Sequence, residues 1–194
     1  ILLGYAGSLS TTGQWKLINW LIEQGYIDIL VATGANLSED IIEAMGYAYW
    51  QGHHLRDDKN LFDAGLNRYY DVYGKETDYL KMTELIADFI QTLEPSENYS
   101  SREFLRLFGL HLWKKGIKSI VATAAKHNVP VFCPAIIDSP YCDAALIAKS
   151  RGFHLVLDGT KDYVEFMQLG ENVQDTGVVY IGGGWLVYRA FKKD

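Results

Sequence analysis

The chain is sparing with the residues that carry the most recognisable functional signatures. Cysteine occurs only as Cys133, in a Val-Phe-Cys-Pro run, and Cys142, in a Tyr-Cys-Asp turn. Neither belongs to a CxxC pair, which excludes a disulfide framework and makes a reducing, cytoplasmic setting the expectation. Proline numbers only four and no stretch is low in complexity, so disordered and collagen-like chains are excluded. No window offers eighteen uncharged apolar residues, and no transmembrane helix or membrane partner is expected. There is no Walker lysine motif, no GxSxG nucleophile elbow and no GxGxxG fingerprint. His53, His54, His111, His127 and His154 lack ligand spacing with Cys or carboxylates, so no metal site is expected.

What is present is a globular chain of 194 residues and 21.9 kDa, 48% hydrophobic and 22% charged. That length supports one sizeable core. Charge is uneven: the first hundred residues hold six Lys and Arg against fifteen Asp and Glu, the remainder twelve against nine. An acidic half argues against nucleic acid, which needs a basic face. It suits a cationic ligand, because a field of one sign concentrates the other.

Strands and helices alternate along the chain. Ile1-Leu2-Leu3-Gly4-Tyr5 reads as a buried strand, residues 15–22 repeat at helical spacing, and Ile27-Asp28-Ile29-Leu30-Val31-Ala32-Thr33 is a second strand. A helix is expected over residues 38–45, and the polar, aromatic stretch 46–76 is expected to be a surface excursion without regular period. A helix follows over 80–90. Ser100 with Glu103 forms a capping-box signature ahead of an apolar run at 104–112. Residues 119–127 read as helix, 129–135 as strand, 144–150 as helix, 155–157 as strand, 161–169 as helix and 178–181 as the last strand. Near-continuous apolar strands alternating with helices imply an α/β fold, a Rossmann-like parallel sheet with helices on both faces.

Ligands of open parallel sheets bind beyond the carboxyl ends of the strands. Four such ends here are small or acidic: Gly7-Ser8-Leu9-Ser10-Thr11, Thr33-Gly34-Ala35-Asn36 running on to Glu39-Asp40, Asp138-Ser139-Pro140-Tyr141-Cys142-Asp143, and Gly182-Gly183-Gly184. Small residues let backbone N–H groups approach a phosphate, and helix N-termini favour its charge. Glu39 and Asp40 are expected in the first turn of their helix, where the dipole favours them, and Asp143 as a cap of the 144–150 helix. The alternative is that Glu39 and Asp143 receive an ammonium group.

These loops resemble those of the deoxyhypusine synthase family, over nearly the whole chain from Leu3 to Gly184. The resemblance is carried by Gly4-Tyr5 with Ser8-Leu9, by Asp28-Ile29-Leu30-Val31-Ala32-Thr33-Gly34, and by Glu39-Asp40. It continues in Gly65-Leu66-Asn67-Arg68, Val129-Pro130-Val131-Phe132-Cys133-Pro134-Ala135, Asp138 with Asp143, and the glycine triplet. The segment from Ser139 to Leu146 is similar to the archaeal and bacterial branch.

The resemblance implies an NAD-dependent aminobutyl transferase. NAD oxidises spermidine, 1,3-diaminopropane leaves, and the butylamine unit passes to an enzyme lysine and then to a lysine of the translation initiation factor 5A precursor. It implies that Gly7, Ser8, Leu9, Ser10, Thr11, Thr33, Gly34, Ala35, Asp138 and Gly183 contact NAD. It also implies that Ser38, Glu39 and Asp143 hold the polyamine, in a homotetramer.

The pattern departs from the family after Gly184. There the family continues to a Glu-Ala-Val-Ser-Trp-Gly-Lys motif whose lysine is the covalent acceptor; here Trp185-Leu186-Val187-Tyr188 follows at once. Lys192 and Lys193 are poor substitutes, since a nucleophilic lysine needs a desolvated pocket. With no initiator Met at Ile1 and no family N-terminal extension, the expectation is a single NAD-binding α/β domain over 1–194, incomplete at both ends and missing residues after Gly184. The alternatives are a noncatalytic NAD-binding partner subunit and a homospermidine synthase-like enzyme with a free amine as acceptor.

Overall fold

The structure is a computed structural model that describes residues 1–171 and 175–183. The elements run β1 (Leu2–Tyr5), a 3-10 turn (Leu9–Thr12), α1 (Trp15–Glu23), β2 (Ile29–Ala32), α2 (Gly34–Ala44), β3 (Tyr49–Gln51) and α3 (Asp58–Asp63). They continue β4 (Leu66–Tyr69), β5 (Val72–Lys75), α4 (Glu76–Ile90), β6 (Asn98–Tyr99), α5 (Ser101–Lys114) and α6 (Ile120–Lys126). The last are β7 (Val131–Phe132), α7 (Pro140–Ser150), β8 (Val156–Leu157), α8 (Gly159–Glu171) and β9 (Val178–Ile181).

The main sheet has the order β7-β2-β1-β9 and every pairing in it is parallel, with Leu3 opposite Leu30 and Val179. It is flanked by helices, as the unbroken apolar runs require: a strand buried on both faces has no polar alternation to show. The carboxyl ends of β1, β2, β7 and β9 therefore lie along one edge. Beneath them Leu3, Tyr5, Leu30 and Leu37 are buried, and a cluster of Phe89, Phe104, Phe108 and Tyr141 fills the space between helices. Helices α5 and α6 meet at Gly109, where a Cβ would stand 2.1 Å from the Val121 carbonyl oxygen. Ser100 accepts from the Glu103 N–H and Glu103 accepts from the Ser100 N–H, the capping box that the sequence announces.

Five expectations are corrected. Helix α2 starts at Gly34 rather than at residue 38, because Thr33 is still extended and the strand turns directly into the helix on small residues. Glu39 and Asp40 thus sit mid-helix and do not serve the dipole of its first turn. Helix α7 starts at Pro140, so Asp143 is inside its first turn and Ser139 takes the N-cap position.

The stretch 46–76 is not irregular: β3, β5 and β4 form an antiparallel sheet around α3. Its hairpin carries no Asn-Gly or Asp-Gly signal, because the turn is made by Tyr70 at φ 58° with Asp71. Strand β8 pairs with β6 instead of the main sheet. Gly184, the Trp185–Tyr188 stretch that follows it, and Lys192 and Lys193 lie outside the described residues.

Candidate functional site

At the carboxyl ends of β1, β2 and β7 lies a cleft of about 220 Å³ lined by Gly7, Ser8, Thr33, Gly34, Ala35 and Asp138, with Val31, Ala32, Pro134 and Ala135 completing its walls. Its shape follows from how closely the backbone folds there. Gly7 (φ 90°) and Ser8 (φ 51°) both take left-handed conformations as the chain leaves β1. The 3-10 turn is then locked onto α2: the Ser10 N–H donates to Asn36 Oδ1 at 3.1 Å, and the Ser10 hydroxyl donates to the Asn36 carbonyl at 2.7 Å.

Gly34 opens α2 against Ser139, and a Cβ there would lie 2.3 Å from the serine Cβ. Gly182 (φ 83°) crosses β1 so closely that a Cβ would lie 2.0 Å from the Ala6 carbonyl oxygen. Gly183 borders Gly7, with its nitrogen 3.9 Å from where a Gly7 Cβ would be. Leu9, Ser10 and Thr11 do not line the cleft. They hold the turn that shapes it, and the Thr11 hydroxyl donates to the Ser8 carbonyl at 2.8 Å.

The first turn of α2 contains no acidic residue, and the Thr33 side chain does not cap it. Its leading N–H groups therefore lack a side-chain acceptor at the mouth of the cleft, the arrangement that binds an anion. A dinucleotide needs that anion site and a wall without side-chain bulk, and these residues fit it.

The carboxylates lie beside this cleft. Glu39 is 5% exposed and its Oε2 has no hydrogen-bond partner among the described residues. Burial pushes its carboxyl up to about 7, and the nearby Ser8 side chain pulls it part of the way back. Ser8 thus belongs to both the cleft and the acidic site. Asp143 is exposed on α7 and accepts from the Tyr79 hydroxyl at 2.6 Å. Ser38 stands apart: it is buried, and its hydroxyl donates to the Gly34 and Ala35 carbonyls at 2.9 and 3.1 Å.

Tyr49, Tyr69 and Tyr79 are neighbours of this acidic site that composition alone did not single out. The Tyr49 hydroxyl donates to the Glu39 carbonyl at 3.0 Å, and the Tyr49 and Tyr69 rings meet edge-on at 5.7 Å. The available signal is the aromatic character of 46–76, which reads as a surface excursion, with Tyr79 just beyond it.

A parallel sheet flanked by helices, with a small-residue cleft at the carboxyl ends of its strands, defines an α/β protein with its cleft where open sheets of this class take their ligands. The family model for deoxyhypusine synthase matches residues 1–190, and the chain belongs to that family. It is 42% identical over 186 residues to a probable deoxyhypusine synthase 2 of Methanosarcina mazei, covering 95% of this chain and 54% of the relative. A probable deoxyhypusine synthase 2 of Archaeoglobus fulgidus is 41% identical over 184 residues, covering 95% and 60%. A deoxyhypusine synthase-like protein of Coxiella burnetii is 36% identical over 190 residues, covering 95% and 54%. The chain thus spans little more than half the length of these relatives. A putative deoxyhypusine synthase from Entamoeba histolytica shares the fold, with a TM-score of 0.74 at 20% identity over 94% of this chain and 57% of that one.

Proposed function

We propose that this chain forms the NAD- and polyamine-binding part of a deoxyhypusine synthase, which transfers the butylamine group of spermidine to a lysine of the translation initiation factor 5A precursor. The observation that carries this reading is the convergence of Gly7, Ser8, Thr33, Gly34, Ala35 and Asp138 on one cleft, with Ser8 joining it to Glu39. When bound, NAD supplies the hydride acceptor for an amine-bearing carbon. The N–H groups opening α2 would hold the diphosphate, and the glycines at 7 and 34 keep the wall clear for it.

Glu39 and Asp143 would take the ammonium groups of the polyamine. Glu39 is suited to this because it is buried with one oxygen unpaired. An arriving cation supplies the missing partner and drives the carboxyl to its charged form, releasing the proton that burial favours below about pH 7.

The reading is tested by incubating the full-length protein with NAD and labelled spermidine. Release of 1,3-diaminopropane is expected, and none at any pH between about 7 and 10, across the ordinary lysine titration range, refutes it. Transfer to a free diamine but not to the factor precursor would reassign the acceptor while keeping the donor site.

A further inference from the structure

Tyr79 occupies the first turn of α4, which packs along α7, and its hydroxyl reaches Asp143 Oδ2 across 64 positions of sequence at 2.6 Å. Burial, and then the bond to Asp143, push its phenol well above the usual value near 10, so it remains a donor at any pH the site meets. On its other side Tyr79 interacts electrostatically with Tyr69 and Glu76, and Tyr69 in turn with Glu39. Asn67 donates to Glu76 at 2.5 Å and ties that carboxylate to β4. Helix α2 packs on both α4 and α7, the Tyr49 hydroxyl donates to the Glu39 carbonyl and its ring meets Tyr69 edge-on, so Glu39 and Asp143 lie on elements that pack together with a tyrosine beside each.

An exposed aspartate on a helix samples several rotamers, and a site that reads the distance between two ammonium groups needs both carboxylates held. The phenol fixes one oxygen of Asp143 and leaves the other free to accept. Tyrosine rings beside each acid can attract cations and shelter methylene groups. We infer that Tyr79 is a positioning residue: it holds Asp143 in one orientation relative to Glu39 and so favours a long polyamine, whose terminal ammonium groups span both acids, over a short diamine. The inference rests on the polyamine reading above and adds the group that sets ligand length.

The test is calorimetric titration of the full-length protein with spermidine, putrescine and NAD, for wild type, Tyr79→Phe, Asp143→Asn and the double variant. Losing a hydrogen bond to a charged group weakens spermidine binding about tenfold in Tyr79→Phe, with NAD affinity within about twofold. Putrescine, too short to need both acids, loses less, so discrimination between the two amines falls. In the Asp143→Asn background the same substitution should cost less than about twofold, because the carboxylate charge that the phenol positions is already gone.

A Tyr79→Phe loss that is equal for spermidine and NAD, or that persists undiminished in Asp143→Asn, overturns the inference. Wild-type protein that binds spermidine, with Tyr79→Phe unchanged, overturns it alone. Wild-type protein that does not bind spermidine removes the polyamine reading and this inference together.

Discussion

The cleft at the strand ends and the acidic, tyrosine-lined face beside it are neighbours built by opposite means. The cleft is made of backbone: left-handed turns at Gly7 and Ser8, and approaches at Gly34 and Gly182 that leave no room for a Cβ. The acidic face is made of side chains brought in from α2, β3, β4, α4 and α7, with contacts such as Tyr79 to Asp143 that span much of the sequence. Helix α2 serves both. Its first turn opens on the cleft, and its middle carries Glu39. A binding surface made of backbone tolerates no added atom, whereas one made of side chains is tuned by exchanging them.

The comparison breaks most sharply at Gly182. A Cβ there meets the Ala6 carbonyl oxygen at 2.0 Å, and the residue holds φ 83°. Gly182→Ala therefore combines overpacking with a left-handed penalty, and about 3 kcal/mol of stability should be lost. Gly183→Ala is the control, since nothing lies within 4 Å of its Cβ position. Urea unfolding of the two variants checks this. Equal stability would mean that the β1–β9 crossing is looser than drawn and that the cleft does not depend on it.

The same contrast explains what was legible in the sequence. Glycine and small-residue runs at strand ends announce themselves, because the conformations they permit are local. Ser100 and Glu103 did so too, the cap being three residues long. The start of α2 was misplaced since Thr33-Gly34-Ala35 has no strong helix signal, and only packing against the 3-10 turn makes it helical. The antiparallel sheet was missed because its tight turn uses Tyr70, a residue that ordinarily avoids positive φ. The contact of Tyr49 with Tyr69 depends on that sheet, so it was hidden with it. Asp143 is legible as a carboxylate beyond a strand end, but its phenolic partner 64 positions away leaves no trace in spacing.

A smaller effect, but a more selective one, is expected on the acidic face. Glu39→Gln removes the charge while keeping the volume, and losing the partner of a desolvated ammonium costs about 2 kcal/mol, near thirtyfold in spermidine affinity. NAD affinity should stay within about twofold, a change too small to register as a lost contact. Parallel losses for both ligands would merge the two regions into one site and end the distinction drawn above.

A pH-dependent effect separates Glu39 from its neighbour. Asp40 is fully buried on α2; its Oδ2 accepts from the Ile120 N–H at 2.5 Å and anchors α6, while Oδ1 has no partner. Burial pushes its carboxyl up to about 7 from an ordinary 3.8, the Ile120 bond pulls it back, and Glu39 adds to the rise. The folded protein therefore keeps a proton that the unfolded chain has already released. The stabilisation from that proton is complete below about pH 4 and is lost as pH climbs through about 7, at no more than about 1.4 kcal/mol per pH unit. Asp40→Asn keeps an acceptor for Ile120 and removes the titration, so unfolding measured between those limits should lose part of its slope. Because Asp40 faces α6 and not the cleft, spermidine and NAD affinities should not follow. If they do, the two carboxylates act as a coupled pair, and the acidic face reaches through α2 into the core.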